Sequence, residues 1–140
     1  MISVSSASPP GFAPGCTAVP DPWPAEARWV LQHRGELVLA DGALPRDPRS
    51  FGLAVEEPHG LGEVAGAPAF GGLLGADSTL PAGLRTESLR GAFALLPAAE
   101  QAMAAYGFQV LHWARTTRFC GECGLRTEPS ADPTRRARRC

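Results

Sequence analysis

Apolar positions in the first half of the chain fall in short runs. Trp29-Val30-Leu31 and Leu37-Val38-Leu39 flank the polar stretch His33-Arg34-Gly35-Glu36. This pattern predicts a β-hairpin over Arg28 to Ala40, with Gly35 at positive φ in the turn. Asp41-Gly42 ends the second strand, and the segment from Ala43 to Ser50, carrying Pro45 and Pro48, reads as loop. A second strand group is expected over Phe51 to Val55 and Leu61 to Phe70, the latter a hairpin with its tip at Gly66. Pro68 has no N–H to give a ladder, so its strand is an edge or begins there. Gly71 to Leu84 reads as loop.

The period then changes. Ala99, Met103, Tyr106, Val110 and Trp113 recur at helical spacing after Pro97, which suits a first helical position. Gly107 costs such a helix up to about 1 kcal/mol relative to Ala. A shorter helical turn is expected over Ser88 to Leu96, with Leu89, Phe93 and Leu96 as its apolar side. The expected fold class is α+β: a small N-terminal β-sheet domain, a connecting helix, and a cysteine-bearing end. The expected boundaries are a disordered tail over 1–22, a β-rich domain over 23–96, the helix over 97–117, and the first part of a zinc ribbon over 118–140.

Composition adjusts this picture in three places. With 16 Gly and 14 Pro in 140 residues, turns and short strands are favoured over long helices. No stretch approaches the roughly 20 apolar residues of a membrane span, and Met1 to Gly15 has neither the basic nor the apolar region of a secretory signal. A cytoplasmic protein with reduced thiols is therefore expected. All basic residues are Arg, and seven of them lie between Leu111 and Cys140, which points to an anionic neighbour or to a solvated basic face.

Cys120-Gly121-Glu122-Cys123-Gly124 carries the most specific chemistry. Cys-x-x-Cys curls the backbone so that both thiolates face one ion, and the following Gly accepts the positive φ that ends the turn. Cys140 follows at ribbon distance, so Cys120, Cys123 and Cys140 are the candidate ligands of a structural zinc. A fourth ligand is expected about three positions further on. Cys16, in a Pro-rich stretch, is expected to be an isolated thiol, with completion of the metal site as its alternative. A thioredoxin-like redox pair would open a helix after a central strand, which the glycines and Phe119 around this motif do not suit.

The run Leu111-His112-Trp113-Ala114-Arg115-Thr116-Thr117-Arg118-Phe119-Cys120-Gly121-Glu122-Cys123-Gly124 resembles the helix-to-ribbon junction of NADH pyrophosphatases of the Nudix hydrolase family. The hairpin at Trp29 to Leu39, the Gly62 to Phe70 segment and Ser88-Leu89-Arg90 are similar to that family's N-terminal region in order and spacing. The resemblance implies a homodimeric hydrolase that splits the pyrophosphate of NAD(H), and in bacterial members removes NAD caps from RNA. Its chemistry belongs to a Nudix helix whose glutamates hold Mg²⁺ or Mn²⁺. That helix is missing here: the 140 residues contain no Arg-Glu dipeptide, which the box requires. Glu56-Glu57 precede Pro58 and read as a polar loop. The chain alone is thus expected to be non-catalytic, an N-terminal and ribbon portion without its Nudix domain. By the same resemblance Arg90 matches an arginine tied to substrate, where a guanidinium can pair two phosphate oxygens. A plain surface arginine on a short helix is the equal alternative. Glu128 and Asp132 are both open as the acidic substrate contact. His112 and Trp113 are expected to pack at the helix–ribbon junction, and His33 and His59 to be exposed in turns. The competing function is a stand-alone zinc-ribbon module that binds RNA or protein through Arg135-Arg136-Ala137-Arg138-Arg139; a redox role for Cys120 and Cys123 ranks third.

Overall fold

The computed structural model describes residues 11–132 and 137–139. A mixed six-stranded sheet forms its body. The strands are β1 (Phe12–Pro14), β2 (Arg28–His33), β3 (Glu36–Ala40), β4 (Val55–Val64), β5 (Ala67–Leu74) and β6 (Leu84–Glu87), in the order β1-β4-β5-β2-β3-β6. Only β2 and β5 run parallel; every other pairing is antiparallel. Two helices follow, α1 (Leu89–Phe93) and α2 (Ala98–Thr116), and a second small sheet pairs β7 (Glu128–Pro129) with β8 (Arg138–Arg139). The architecture is α+β, as the pattern of apolar runs predicts.

The first hairpin turns at Arg34 and Gly35, both at positive φ (51° and 83°), the conformation a two-residue hairpin turn matched to strand twist requires. The second turns at Ala65 and Gly66. Three expectations are corrected here. Phe51 to Val55 is not a strand: Asp47 accepts from the Arg49 N–H and caps a 3-10 turn over Pro48–Phe51, so β4 begins only at Val55. Gly71 to Leu74 continue β5 instead of opening a loop, because Gly72 lies under Val55 with no room for a side chain. And the stretch expected to be a disordered tail contains β1, which hydrogen-bonds to the end of β4 and buries Phe12 against Tyr106, ring centroids 5.8 Å apart. Residues 1–10 of that tail lie outside the described residues. Pro68 is the second residue of its strand and the ladder to β2 starts one residue later, at Ala69. Its missing N–H therefore costs nothing on that side.

Strand alternation splits the core into two layers. Val30, Leu37, Leu39, Leu61 and Leu73 face the helices and meet Met103, Ala104, Val110 and Leu111. Trp29, Leu31, Val38, Phe70 and Leu74 fill the other face, beneath Trp23, Phe51 and Leu80. Trp23 and Trp29 meet edge to face at 4.8 Å, and the Trp23 indole N–H donates to Asp47 at 3.0 Å. That bond is the main cause holding the Asp47 carboxyl below its ordinary range; Arg49 assists, against a smaller opposing effect of burial. A group depressed on folding stabilises the fold above its unfolded value and loses that contribution as pH falls through the folded one. Asp47→Asn is accordingly expected to flatten the acid limb of thermal stability below about pH 4, read by melting curves across pH. An unchanged acid limb would contradict the role given to the Trp23 bond.

The buried stripe of α2 is Met103, Ala104, Gly107, Val110, Leu111 and Ala114, while Ala99, Tyr106 and Trp113 flank it, half-buried. Of the expected apolar side of α1, Leu96 is buried and Leu89 packs against the core, but Phe93 is exposed and Ala92 is buried in its place. Ser88 caps α1 through the Gly91 N–H, and Gln101 of α2 donates to the Phe93 and Leu96 carbonyls, tying the helices together. Gly107 is a packing requirement: a β-carbon there would come within 2.9 Å of both Leu61 Cδ1 and Val30 Cγ2. Gly107→Ala gains helix propensity of about 1 kcal/mol but overpacks by about 1–3 kcal/mol. We expect a net loss of about 1 kcal/mol in urea unfolding, where a surface helical glycine would show a gain.

Candidate metal centre and its anchor to the sheet

The C-terminal end of α2 leads directly into a small hairpin. The hydroxyls of Thr116 and Thr117 donate back to the His112 and Trp113 carbonyls, at 2.8 and 2.6 Å. They satisfy groups a helix end leaves open. The chain then reverses. Thr127 donates its N–H to the Arg118 carbonyl and its hydroxyl to the Thr117 carbonyl, and Phe119 bridges Arg126. At the tip, Cys120 N–H donates to the Leu125 carbonyl and Gly124 N–H to the Cys120 carbonyl, with Gly124 at φ 71°. The Glu122 N–H points at Cys120 Sγ, 3.4 Å away. An amide aimed at a sulfur favours the thiolate, the form that binds metal. The local backbone therefore fits a soft cation held by Cys120 and Cys123. Neither residue is in a disulfide, Cys120 is half-buried and Cys123 exposed.

The third candidate ligand, Cys140, lies outside the described residues, as do Arg135 and Arg136. Among the described residues no group of three or more His, Cys, Asp or Glu is disposed to hold a metal. Cys16 is not beside the knuckle; it lines a cleft with His59, Trp113 and Asp132. The Cys-x-x-Cys motif sits in a hairpin, not at a helix start.

What sequence reasoning missed is the anchor. Glu56 and Glu57 belong to β4, not to a loop. The register between β4 and β5 slips between Glu56 and His59, and this bulge accommodates Pro58 and puts Glu57 at φ 45°. Both carboxylates reach the segments that follow α2. Glu56 pairs with Arg118 at 3.3 Å, an exposed contact. Glu57 takes Arg138 with both oxygens, at 3.0 and 3.4 Å, while Arg138 also donates to the Thr127 hydroxyl at 2.7 Å and carbonyl at 3.0 Å. The Arg138 side chain is only 4% exposed. One guanidinium thus joins β8, the knuckle hairpin and the sheet. A Glu-Glu pair ahead of a proline in a strand context was the available signal; nothing in the local sequence marked Arg138 apart from its neighbours.

The remaining candidates are dispersed. Arg90 is exposed on α1, which packs against β3 and β6 at the sheet edge away from β4. Asp132 is exposed and lines the cleft between β4 and the β7–β8 sheet, and Glu128 is exposed, its backbone opposite Arg139. Trp113 is half-buried, edge-on to His59 at 6.4 Å, but His112 is exposed beside Arg115 and does not pack at the junction. His33 and His59 are not exposed: His33 ends β2 at 8% exposure and His59 lies half-buried in β4. Both were misplaced because the strands extend further than their apolar runs.

Residues 26–113 match the model of the NADH pyrophosphatase-like rudimentary NUDIX domain. The chain belongs to this family. The matched region holds five of the six sheet strands, β2 to β6, with α1 and most of α2; β1 precedes it, and the knuckle follows it directly. Similar curated proteins extend the likeness past the domain. The chain is 33% identical over 116 residues to the NAD-capped RNA hydrolase NudC of Deinococcus radiodurans, covering 82% of this chain and 39% of that protein. It is 37% identical over 104 residues to the NudC of Pseudomonas syringae pv. tomato and 40% over 104 residues to that of Pseudomonas putida strain W619, covering 70% and 69% of this chain and 36% of each relative. This NUDIX-like chain therefore spans less than two fifths of the length of the relatives it matches.

Proposed function

We propose that this chain is the N-terminal and zinc-ribbon portion of a hydrolase that cleaves the pyrophosphate of NAD(H) and of NAD-capped RNA. The observation that carries the reading is the knuckle, its Glu122 N–H aimed at Cys120 Sγ, placed directly after a NUDIX-like domain. Cys120, Cys123 and Cys140 would hold the zinc. Its contribution is structural: it cross-links a hairpin too small to bury a core of its own. The chain's own residues then fix where that hairpin stands, through Arg138 and Arg118 on the β4 carboxylates. Arg90, unpaired among the described residues and facing solvent, is proposed to contact a substrate phosphate. Hydrolysis itself requires the glutamate-bound Mg²⁺ or Mn²⁺ of a Nudix box, which these 140 residues do not contain. By themselves they are proposed to be non-catalytic, in the cytoplasm, as part of a homodimer. No helix among the described residues is long and apolar enough to cross a membrane. The competing reading, a free-standing ribbon gripping RNA by its Arg-rich end, loses Arg138, which is buried on Glu57.

Two measurements test the proposal. Reading the coding DNA beyond codon 140 is expected to show one further cysteine, the fourth zinc ligand, within a few codons and then a Nudix box. NADH and NAD-capped RNA supplied to the 140-residue chain are expected to remain intact. Turnover by the short chain, or a stop codon at that point together with RNA binding by the short form, would overturn the assignment.

A further inference from the structure

Beneath the C-terminal end of α2 the sheet leaves a hollow of about 240 Å³, whose rim includes Glu56 and Arg118 of the anchor. Gln32 of β2 and Leu73 of β5 form its floor, and Arg34, Glu56, Arg115 and Arg118 stand around it. Gln32 is 2% exposed, and neither its Oε1 nor its Nε2 has a hydrogen-bond partner among the described residues. A buried carboxamide left in that state is costly and calls for a partner. Around it three guanidiniums face one carboxylate. Arg118 is matched by Glu56 at 3.3 Å. Arg34 spends its Nε on the Ala76 carbonyl at 3.0 Å, and Arg115 lies 3.4 Å from His112 Nδ1; neither has an acidic partner among the described residues. The helix-end carbonyls of His112 and Trp113, which would repel an anion, are already taken by Thr116 and Thr117.

We propose that this hollow is a phosphate site, in which Arg34, Arg115 and Arg118 take the oxygens of a nucleotide phosphate and the Gln32 amide donates from beneath. A tetrahedral group offers oxygens to several guanidiniums at once. The volume is below the roughly 300–1,000 Å³ of pockets for larger ligands, so it accepts a phosphate and not a whole dinucleotide. The site is independent of the ribbon's metal and stands whether or not the hydrolase reading does. The phosphate could be that of a free nucleotide or one of an RNA strand, and the chemistry is shared.

NMR titration of the full chain with inorganic phosphate, AMP and a ten-nucleotide RNA tests it. The Gln32 side-chain amide resonances are expected to move saturably. Affinity should fall about tenfold in Arg34→Ala and in Arg115→Ala, as for one lost charge-assisted bond. Glu56→Gln removes the competing carboxylate and should tighten binding, a gain that a misfolded variant cannot mimic. AMP and RNA binding alike would identify a free phosphate or nucleotide ligand; RNA binding tighter than AMP, and displaced by phosphate, would identify the strand. No movement at Gln32 with any of the three probes, or affinities unchanged in all the variants, would overturn the proposal.

Discussion

Arg138→Ala is expected to destabilise the protein by about 2–4 kcal/mol and to release the C-terminal β7–β8 sheet from the body of the fold. Breaking a buried ion pair from one side costs about 3–5 kcal/mol, because the partner charge stays behind unpaired. Here Glu57 retains some solvent, its side chain 27% exposed, which lowers the figure. The Thr127 carbonyl would lose a donor as well, adding to the loss. Arg138→Lys should rescue little, since one ammonium cannot reach both Glu57 oxygens and both Thr127 oxygens in the fork that the guanidinium provides. Urea unfolding gives the energy, and limited proteolysis between 118 and 132 reads the release. A change within about 0.5 kcal/mol, typical of surface sites, with unchanged proteolysis, would show that Arg138 is not the anchor.

Gly62→Ala should be nearly as damaging, at about 3 kcal/mol. A β-carbon on Gly62 would overlap the Ala13 carbonyl, and its φ of 113° is one that side chains avoid. Overpacking costs about 1–3 kcal/mol and the backbone conformation about 1–3 kcal/mol more. The chain can relieve the overlap only by shedding β1, which unpairs Phe12 and Pro14 from β4 and uncovers Tyr106. Gly60 is under the same constraint from Thr17. Loss of hydrogen-exchange protection at Phe12 and at Ala65, whose N–H donates to Gly11, with the first hairpin still protected, is the expected signature. Retained protection at both positions would show that β1 is not what the glycines accommodate.

The sequence carried the elements whose patterns are local. Two apolar triplets around Arg34-Gly35, the helical spacing from Ala99 to Trp113, and the glycine after Cys123 each set nearby φ and ψ through their own chemistry. What escaped were features decided by distant partners. The strand at Phe12 exists because Gly62 and Gly60 leave room for it and Tyr106 offers a ring. Glu57 and Pro58 look like a loop until β5 supplies a ladder with a bulge. Arg138 differs from Arg139 only in which face of β8 meets the carboxylate. Gln32 reads as the polar end of a strand, and its burial follows from α2 crossing above it.

The most direct test of the central proposal is differential alkylation of the four cysteines with and without zinc, resolved by mass spectrometry. We expect Cys120, Cys123 and Cys140 to be protected together by one equivalent of zinc, while Cys16 reacts equally in both samples. Cys140 reacting at the same rate whether or not zinc is present would contradict the account.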